Sequence, residues 1–167
     1  MVALDRQTGA ERWRALDDRA QYSTPIVIEQ AGKTVVVGWT GDSVAGMDAA
    51  TGEVYWRHEM KPTRMPIGIA TPLVRSDLLF VTSFYDGALM LRLHQDETKV
   101  SQVWRARGRN EKNTEALHSI ISTPIWLGEY IYGVDSYGEL RCLEAQTGKR
   151  LWEDRTATPR ARWSTIH

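Results

Sequence analysis

Few side chains in this 167-residue sequence are suited to covalent or metal chemistry. Cys142 is the one cysteine, so it is the only candidate thiol nucleophile and no internal disulfide can form. His118 and His167 both lie near the start of predicted first strands, but they occupy different registers. Because nothing else of ligand type recurs beside them, we do not expect a metal pair there.

Three loop aspartates are the candidate oxygen ligands. Asp42, Asp86 and Asp135 lie in loops between predicted second and third strands, with Gly41, Gly87 and Gly138 in the same loops. Calcium requires several oxygens that converge on one point, whereas an aspartate in a loop with a glycine is typical of a turn. We therefore predict turn roles for all three and no metal site.

Composition narrows the classes of partner. The formal net charge is zero, so nothing in the overall charge indicates nucleic acid or an anionic membrane surface. The sequence has no run of 18 apolar residues, which predicts no transmembrane helix. Residues 1–5 lack the basic and then apolar pattern of a signal peptide. The chain begins within a repeat, however, so its compartment is left open.

One segment occurs three times in nearly the same form and a fourth time in a weaker one. The clear copies are 3–13, 46–56 and 142–152, and each has an acidic residue eight positions before a tryptophan with Thr-Gly between them. The copy that ends at Trp104 lacks the glycine and has two extra residues. A repeat of this kind is one supersecondary unit that needs its neighbours to bury itself. The repeat-motif residues are Asp5, Thr8, Gly9, Trp13, Asp48, Thr51, Gly52, Trp56, Trp104, Glu144, Thr147, Gly148 and Trp152.

Each interval between these tryptophans contains four short apolar runs that read as strands. Runs such as 35–37 and 78–81 are apolar on both faces, as expected for a sheet with a neighbour on each side and unlike the alternation of a two-layer sandwich. We predict an all-β fold, a partial β-propeller of four-stranded antiparallel blades. First strands are predicted to start at Thr24, Thr71 and Thr123. The predicted units are a half blade (1–16), three blades (22–60, 67–107 and 119–155) and the start of another blade (162–167).

The repeated residues are predicted to have structural roles. The aspartate should accept hydrogen bonds from backbone two residues on, and the glycine should supply a positive φ at the hairpin. Each tryptophan should cover the next blade while its indole N–H binds a backbone carbonyl. The position of Cys142 holds alanine or glycine in the other clear copies, so a small buried hydrophobe is favoured over a catalytic thiol.

These motifs resemble the quinoprotein-type, or PQQ-like, propeller repeat, Ala-x-Asp-x-x-Thr-Gly-x-x-x-Trp. Residues 3–13 match every specified position, 46–56 depart at the Ala, and 142–152 depart at the Ala and the Asp. The resemblance implies either of two functions outside the cytoplasm. One branch contains dehydrogenases that oxidise alcohols or sugars with pyrroloquinoline quinone and calcium. The other is non-catalytic and includes the outer-membrane assembly lipoprotein.

The resemblance also implies that the loops entering each first strand share one face with the loops joining second to third strands. Here those loops combine arginines with aromatic side chains, a composition typical of interaction hot spots or of a site for an anionic ligand. The alternative is an ordinary solvated loop surface. The residues of this possible interaction face are Trp39, Arg64, Phe84, Tyr85, Arg107, Arg109, His118, Tyr137, Arg160 and Arg162.

We predict a non-catalytic, periplasmic or otherwise extracytoplasmic protein-interaction module that needs no cofactor. The alternative is part of a dehydrogenase, which alone would require pyrroloquinoline quinone and calcium. Propellers close with about four to eight blades, and an open arc leaves sheet edges unpaired. The expected partners are therefore a protein, or the remaining blades of a longer propeller to which this chain belongs.

Overall fold

The computed structural model describes residues 1–166, which contain β-strands and no helix. The strands are β1 (Val2–Leu4), β2 (Glu11–Arg14), β3 (Ile26–Gln30), β4 (Lys33–Trp39), β5 (Ser43–Asp48), β6 (Val54–Glu59), β7 (Leu73–Arg75), β8 (Leu78–Ser83), β9 (Gly87–Leu93), β10 (Val100–Ala106), β11 (Ile125–Leu127), β12 (Tyr130–Val134), β13 (Leu140–Glu144) and β14 (Arg150–Asp154). The first strand of each full sheet starts two residues after the predicted threonine. A proline occupies the intervening position, and it has no N–H for the ladder.

The strands form three four-stranded antiparallel sheets and one two-stranded sheet. We call β1–β2 blade 1, β3–β6 blade 2, β7–β10 blade 3 and β11–β14 blade 4. Within each sheet every strand pairs with its neighbour in sequence, so each blade is a simple meander. This arrangement confirms the predicted all-β fold and the predicted propeller blades.

The core lies between blades, on both faces of the middle strands. In one cluster, Leu79 and Leu89 of blade 3 pack with Val35 of blade 2. In a second cluster, Phe80 of blade 3 packs with Leu143 of blade 4. All six residues of β8 are buried. Burial on both faces explains why these strands lack the alternation of a half-exposed sheet.

The repeated turns form as the motif predicts. Asp48 Oδ1 accepts the backbone N–H of Ala50 at 2.9 Å and of Thr51 at 2.8 Å. These bonds, with one from the Tyr55 hydroxyl as the largest cause, lower the pKa of Asp48 to about 2. Gly52 has a φ of +77°, the left-handed conformation that closes the hairpin.

Two tryptophans join consecutive blades in the same way. The Trp13 indole N–H donates to the Ala49 carbonyl at 3.1 Å, and the Trp104 indole N–H donates to the Ala145 carbonyl at 2.8 Å. Each ring lies so close to the glycine of the next Thr-Gly turn that a Cβ there would be within 2.6–2.8 Å of ring atoms. The glycine therefore closes the turn and also accommodates the indole of the preceding blade.

Trp56 reaches blade 3 by a different route. Its N–H donates to the side-chain oxygen of Gln30 at 2.9 Å, and the Gln30 amide donates to the carbonyls of His94 at 3.2 Å and Lys99 at 2.7 Å. The third copy of the motif has no glycine at its turn. Gln30, which is fully buried, therefore bridges the indole to that turn.

The tryptophans lie opposite small residues. Trp56 pairs with Gly46 and Trp152 pairs with Cys142 in the β-ladders. A Cβ on Gly46 would lie 2.3 Å from the Trp56 ring, which explains why this position stays small. Cys142 is buried, consistent with the predicted packing role.

Residues 155–166 follow β14 and contain no strand. The Ile166 N–H donates to the Ser122 hydroxyl at 3.2 Å, so this segment returns to the place where β11 begins. Whether 162–167 opens a further blade stays a prediction. His167 lies outside the described residues.

Candidate functional site

The loops that enter the first strands and the loops that join second to third strands lie together, and we call their common surface the loop face. Each entering loop is fastened to its own blade by an aspartate. The backbone N–H groups of Arg19, Thr63 and His118 donate to Asp42, Asp86 and Asp135 at 2.8, 2.9 and 2.6 Å. These carboxylates therefore hold the loops in place, a role more specific than the turn formation that we predicted.

Glu111 gathers residues from other loops on this face. Its carboxylate lies 3.0 Å from a terminal nitrogen of Arg64 and 3.7 Å from one of Arg162. The Tyr137 hydroxyl donates to it at 3.5 Å. Only 19% of the Glu111 side chain is exposed. One carboxylate thus links four loops that are distant in sequence.

Aromatic rings lie beside these charges. The Arg64 guanidinium carbon is 5.3 Å from the Tyr85 ring centroid, and Arg162 donates to the Tyr85 hydroxyl at 3.1 Å. Phe84 lies edge-on to Tyr85, with 4.7 Å between ring centroids. Contacts of this kind add an attraction between cation and ring to the ion pairs.

Two neighbouring clefts open on the loop face. The first cleft, of about 340 Å³, is lined by Thr63, Arg64, Tyr85, Arg107, Gly108, Arg109, Asn110 and Glu111. The second cleft, of about 400 Å³, is lined mainly by charged side chains from the loop before blade 4 and from blade 4 itself, among them Arg109, Arg141 and Glu153. Arg109 belongs to both. A further hollow of about 310 Å³ places Arg160 beside Lys112, Tyr137 and Glu139.

Three residues predicted for the interaction face lie in the interior. The Trp39 ring packs so closely against Gly68 that a Cβ on this glycine would lie 2.7 Å from the ring. Phe84 has no exposed surface. His118 is also fully buried. Their side chains fill gaps between blades, so this part of the prediction was wrong for contact with a partner. The seven other predicted residues are exposed or half-buried.

His118 is a structural link between blades 3 and 4. One ring nitrogen accepts the Gly108 N–H at 3.1 Å, and the other lies 2.9 Å from the Phe84 carbonyl. Donation to that carbonyl fixes the neutral tautomer. Burial lowers the pKa of His118 below its ordinary value, against the opposing effect of the Phe84 carbonyl.

Arg141 is an interior residue that sequence reasoning missed. It lies 2.7 Å from Asp135 and 2.8 Å from Glu153, and it also donates to the Thr114 hydroxyl at 2.8 Å. Its side chain is almost completely buried. The sequence shows an ordinary charged residue in a strand, and only the fold brings its two acidic partners to it.

Within residues 1–166, no group of three or more His, Cys, Asp and Glu side chains is placed to hold a metal ion. Across the same residues, no helix is long and apolar enough to cross a membrane.

Meander blades joined by indoles that dock on Thr-Gly turns define a β-propeller of PQQ-like repeats. The family whose sequence model is described as outer membrane protein assembly factor BamB matches residues 1–165, and the chain belongs to this family.

The curated relatives are similar at low identity. The chain is 24% identical over 155 residues to outer membrane protein assembly factor BamB of Shewanella oneidensis, covering 91% of this chain and 38% of that protein. It is 22% identical over 146 residues to BamB of Burkholderia pseudomallei, covering 87% of this chain and 38% of that protein. The chain therefore spans about two fifths of the length of these relatives.

Solved structures from both functional branches share the fold of this chain. BamB from Moraxella catarrhalis superposes with a TM-score of 0.51 at 17% identity, covering 97% of this chain and 59% of that one. The quinohemoprotein alcohol dehydrogenase ADHIIG from Pseudomonas putida HK5 gives a TM-score of 0.61 at 19% identity, covering 89% of this chain and 22% of that one. At these identities the likeness concerns the fold alone.

Proposed function

We propose that this chain is a section of a non-catalytic β-propeller that holds a partner protein on its loop face. The observation that carries the proposal is the convergence of four loops on Glu111, which fixes a surface of arginines and tyrosines. Arginine and tyrosine are enriched at the energetic centres of protein interfaces. The names of the curated relatives, which describe assembly factors, support a role in binding proteins.

The two ends of the arc support the proposal that further blades complete it. Trp152 is 44% exposed, although the equivalent indoles of blades 1 and 3 dock on the following blade. At the other end, a Cβ on Gly9 would meet nothing within 4 Å, so no indole docks on that turn. We propose that a further four-stranded blade receives Trp152 and that another supplies the indole for Gly9.

The dehydrogenase is the second candidate, because a quinohemoprotein enzyme shares the fold. Against it, the loop aspartates already accept backbone hydrogen bonds and Cys142 is packed in a blade. We therefore propose that the section described here supplies no cofactor ligand. The relatives' names mention an outer membrane, which supports a location outside the cytoplasm, and we propose a periplasmic location for this chain.

A cross-linking experiment tests the interaction role in the full-length protein in its own cells. A photoreactive amino acid replaces Tyr85 or Tyr137 on the loop face, and the control replaces Gln146, which is exposed at the turn between β13 and β14. We expect one discrete protein adduct from the loop-face positions and none from the control. Equal adducts from all positions, or none from the loop face, would contradict the proposal.

A separate assay tests the enzyme. The purified full-length protein is titrated with pyrroloquinoline quinone and calcium, and dye reduction is measured with primary alcohols and aldose sugars. We expect no reduction above the level of cofactor alone. Reduction that depends on both protein and alcohol would establish the dehydrogenase instead.

A further inference from the structure

Three arginines occur at alternate positions at the end of blade 3. Arg105 lies in β10, and Arg107 and Arg109 follow it in the loop. The terminal nitrogens of Arg105 are buried and form no hydrogen bond within the described residues. Burial first and the charge of Arg107 second lower the pKa of Arg105 to about 10. Asp86 has an opposing, smaller effect, so the charge of Arg107 at this position is only partly compensated.

Arg107 and Arg109 line the first cleft and carry its uncompensated charge. Three arginines and one glutamate line this cleft, and Arg64 is the arginine that pairs with Glu111. Neither Arg107 nor Arg109 has an acidic side chain within ion-pair distance among residues 1–166. Both are exposed, so each is accessible to a ligand.

The cleft already shows how a carboxylate binds on this surface. Glu111 lies 3.0 Å from Arg64 and accepts the Tyr137 hydroxyl at 3.5 Å. Arginine recognises carboxylates through a planar set of donors, and a tyrosine ring supplies adjoining apolar surface. Arg107 and Arg109 line the same cleft as Tyr85 and offer the same chemistry, and within residues 1–166 neither of them pairs with a carboxylate.

We propose that the first cleft binds an acidic, extended segment of a partner protein, whose carboxylates pair with Arg107 and Arg109 and whose backbone lies against Tyr85. This inference rests on the proposed function and specifies the chemistry of the partner. A cleft of about 340 Å³ is at the lower end of the volumes typical of ligand sites, which suits a few side chains of a peptide.

The surrounding charges favour spaced carboxylates over a continuous polyanion. Glu115, Glu139 and Glu153 line the adjoining second cleft together with its basic residues. The chain as a whole has no net charge. Nucleic acid carries a phosphate at every step and gains affinity from a broad positive field. A peptide can instead carry acidic residues at the positions that face the arginines and uncharged residues elsewhere.

The test measures binding of a defined peptide to the full-length protein that contains this chain. The probe is a fluorescein-labelled dodecapeptide in which Glu alternates with Gly or Ser around one Tyr, and the comparison peptide has Gln at every Glu. Fluorescence anisotropy at 50 and 200 mM salt gives both affinities. We expect the Glu peptide to bind, to weaken with salt, and to bind at least tenfold more tightly than the Gln peptide.

Matched variants locate the site. Arg107→Gln with Arg109→Gln should weaken binding of the Glu peptide about five- to twentyfold, because two exposed charge contacts are lost. The control, Arg6→Gln with Arg75→Gln, removes the same charge from exposed positions outside the cleft and should change affinity less than twofold. Circular dichroism and thermal unfolding of both variants verify that they remain folded.

Other results would overturn the inference. Equal binding of the Gln peptide, equal weakening by both double variants, or tighter binding of a twelve-nucleotide single-stranded DNA would each do so. Failure of the proposed function is seen separately. If Tyr85 cross-links a partner but the Glu peptide does not bind, the interaction role stands and only the acidic partner is wrong.

Discussion

Gln30→Leu should uncouple Trp56 from blade 3 at a substantial cost in stability. The Gln30 side chain makes three hydrogen bonds while fully buried, and leucine, which is similar in size, can make none. The indole N–H of Trp56 and the carbonyl of His94 lose the partner that Gln30 supplied. The Lys99 carbonyl keeps the His94 N–H at 3.0 Å. Two orphaned groups at about 1–3 kcal/mol each predict a loss of roughly 2–6 kcal/mol.

Urea unfolding monitored by tryptophan fluorescence measures this loss. With a slope of about 2 kcal/mol per molar urea, the midpoint should fall by about 1–3 M. The matched control is Gln146→Leu, because Gln146 is exposed at a turn and its substitution should cost less than about 0.5 kcal/mol.

A double-mutant cycle with Trp56→Phe separates the bridge from general repacking. Phenylalanine keeps an aromatic ring but lacks the N–H, so the two substitutions should be coupled by about 1 kcal/mol or more. The reasoning is refuted if Gln30→Leu behaves like Gln146→Leu, or if the costs of Gln30→Leu and Trp56→Phe simply add.

Three further predictions concern the joints between and within blades. Arg141→Met should destabilise the chain by about 3–5 kcal/mol, because it leaves the Asp135 carboxylate buried without its cation; thermal unfolding measures this, and a cost below about 1 kcal/mol would contradict it. Gly148→Ala should cost more than Gly9→Ala, since both have a φ near +70° but only Gly148 has an indole docked on it; equal urea midpoints would argue against docking. The depressed pKa of His118 means that its contribution to stability is present above its unfolded pKa of about 6.5 and is lost as pH falls toward the lower folded pKa. Urea titrations from pH 7.5 to 5 measure how steeply the free energy of unfolding falls with pH, and this dependence should be weaker in His118→Gln. An unchanged pH dependence would show that other groups cause it.

Local patterns in the sequence predict the blades well, because each blade is built from hydrogen bonds between strands that are consecutive in the chain. The motif of residues 46–56 predicts a turn, a positive φ at Gly52 and an aromatic joint, and all three are present. The acceptor for Trp56 could not be predicted. The third copy of the motif lacks its glycine, and only the packed blades bring Gln30 to the indole.

Local patterns in the sequence predict the loop face less well than the blades. Sequence reasoning selected Arg64, Tyr85 and Tyr137 from their loops but overlooked Glu111, which contacts Arg64 and Tyr137. Glu111 shares its loop with Glu115, so nothing in the sequence distinguished it. Sequence reasoning also assigned Phe84 to the surface, although the ring is buried between blades.

The sequence by itself determined that the chain folds into repeated four-stranded sheets joined by tryptophans, because strand periodicity, turn residues and motif spacing all act over short distances along the chain. Only the tertiary structure decided which loop residues meet. Contacts such as that of Glu111 with Arg64 join residues 47 positions apart. Their geometry depends on how the blades stack around the axis, and no local pattern encodes it.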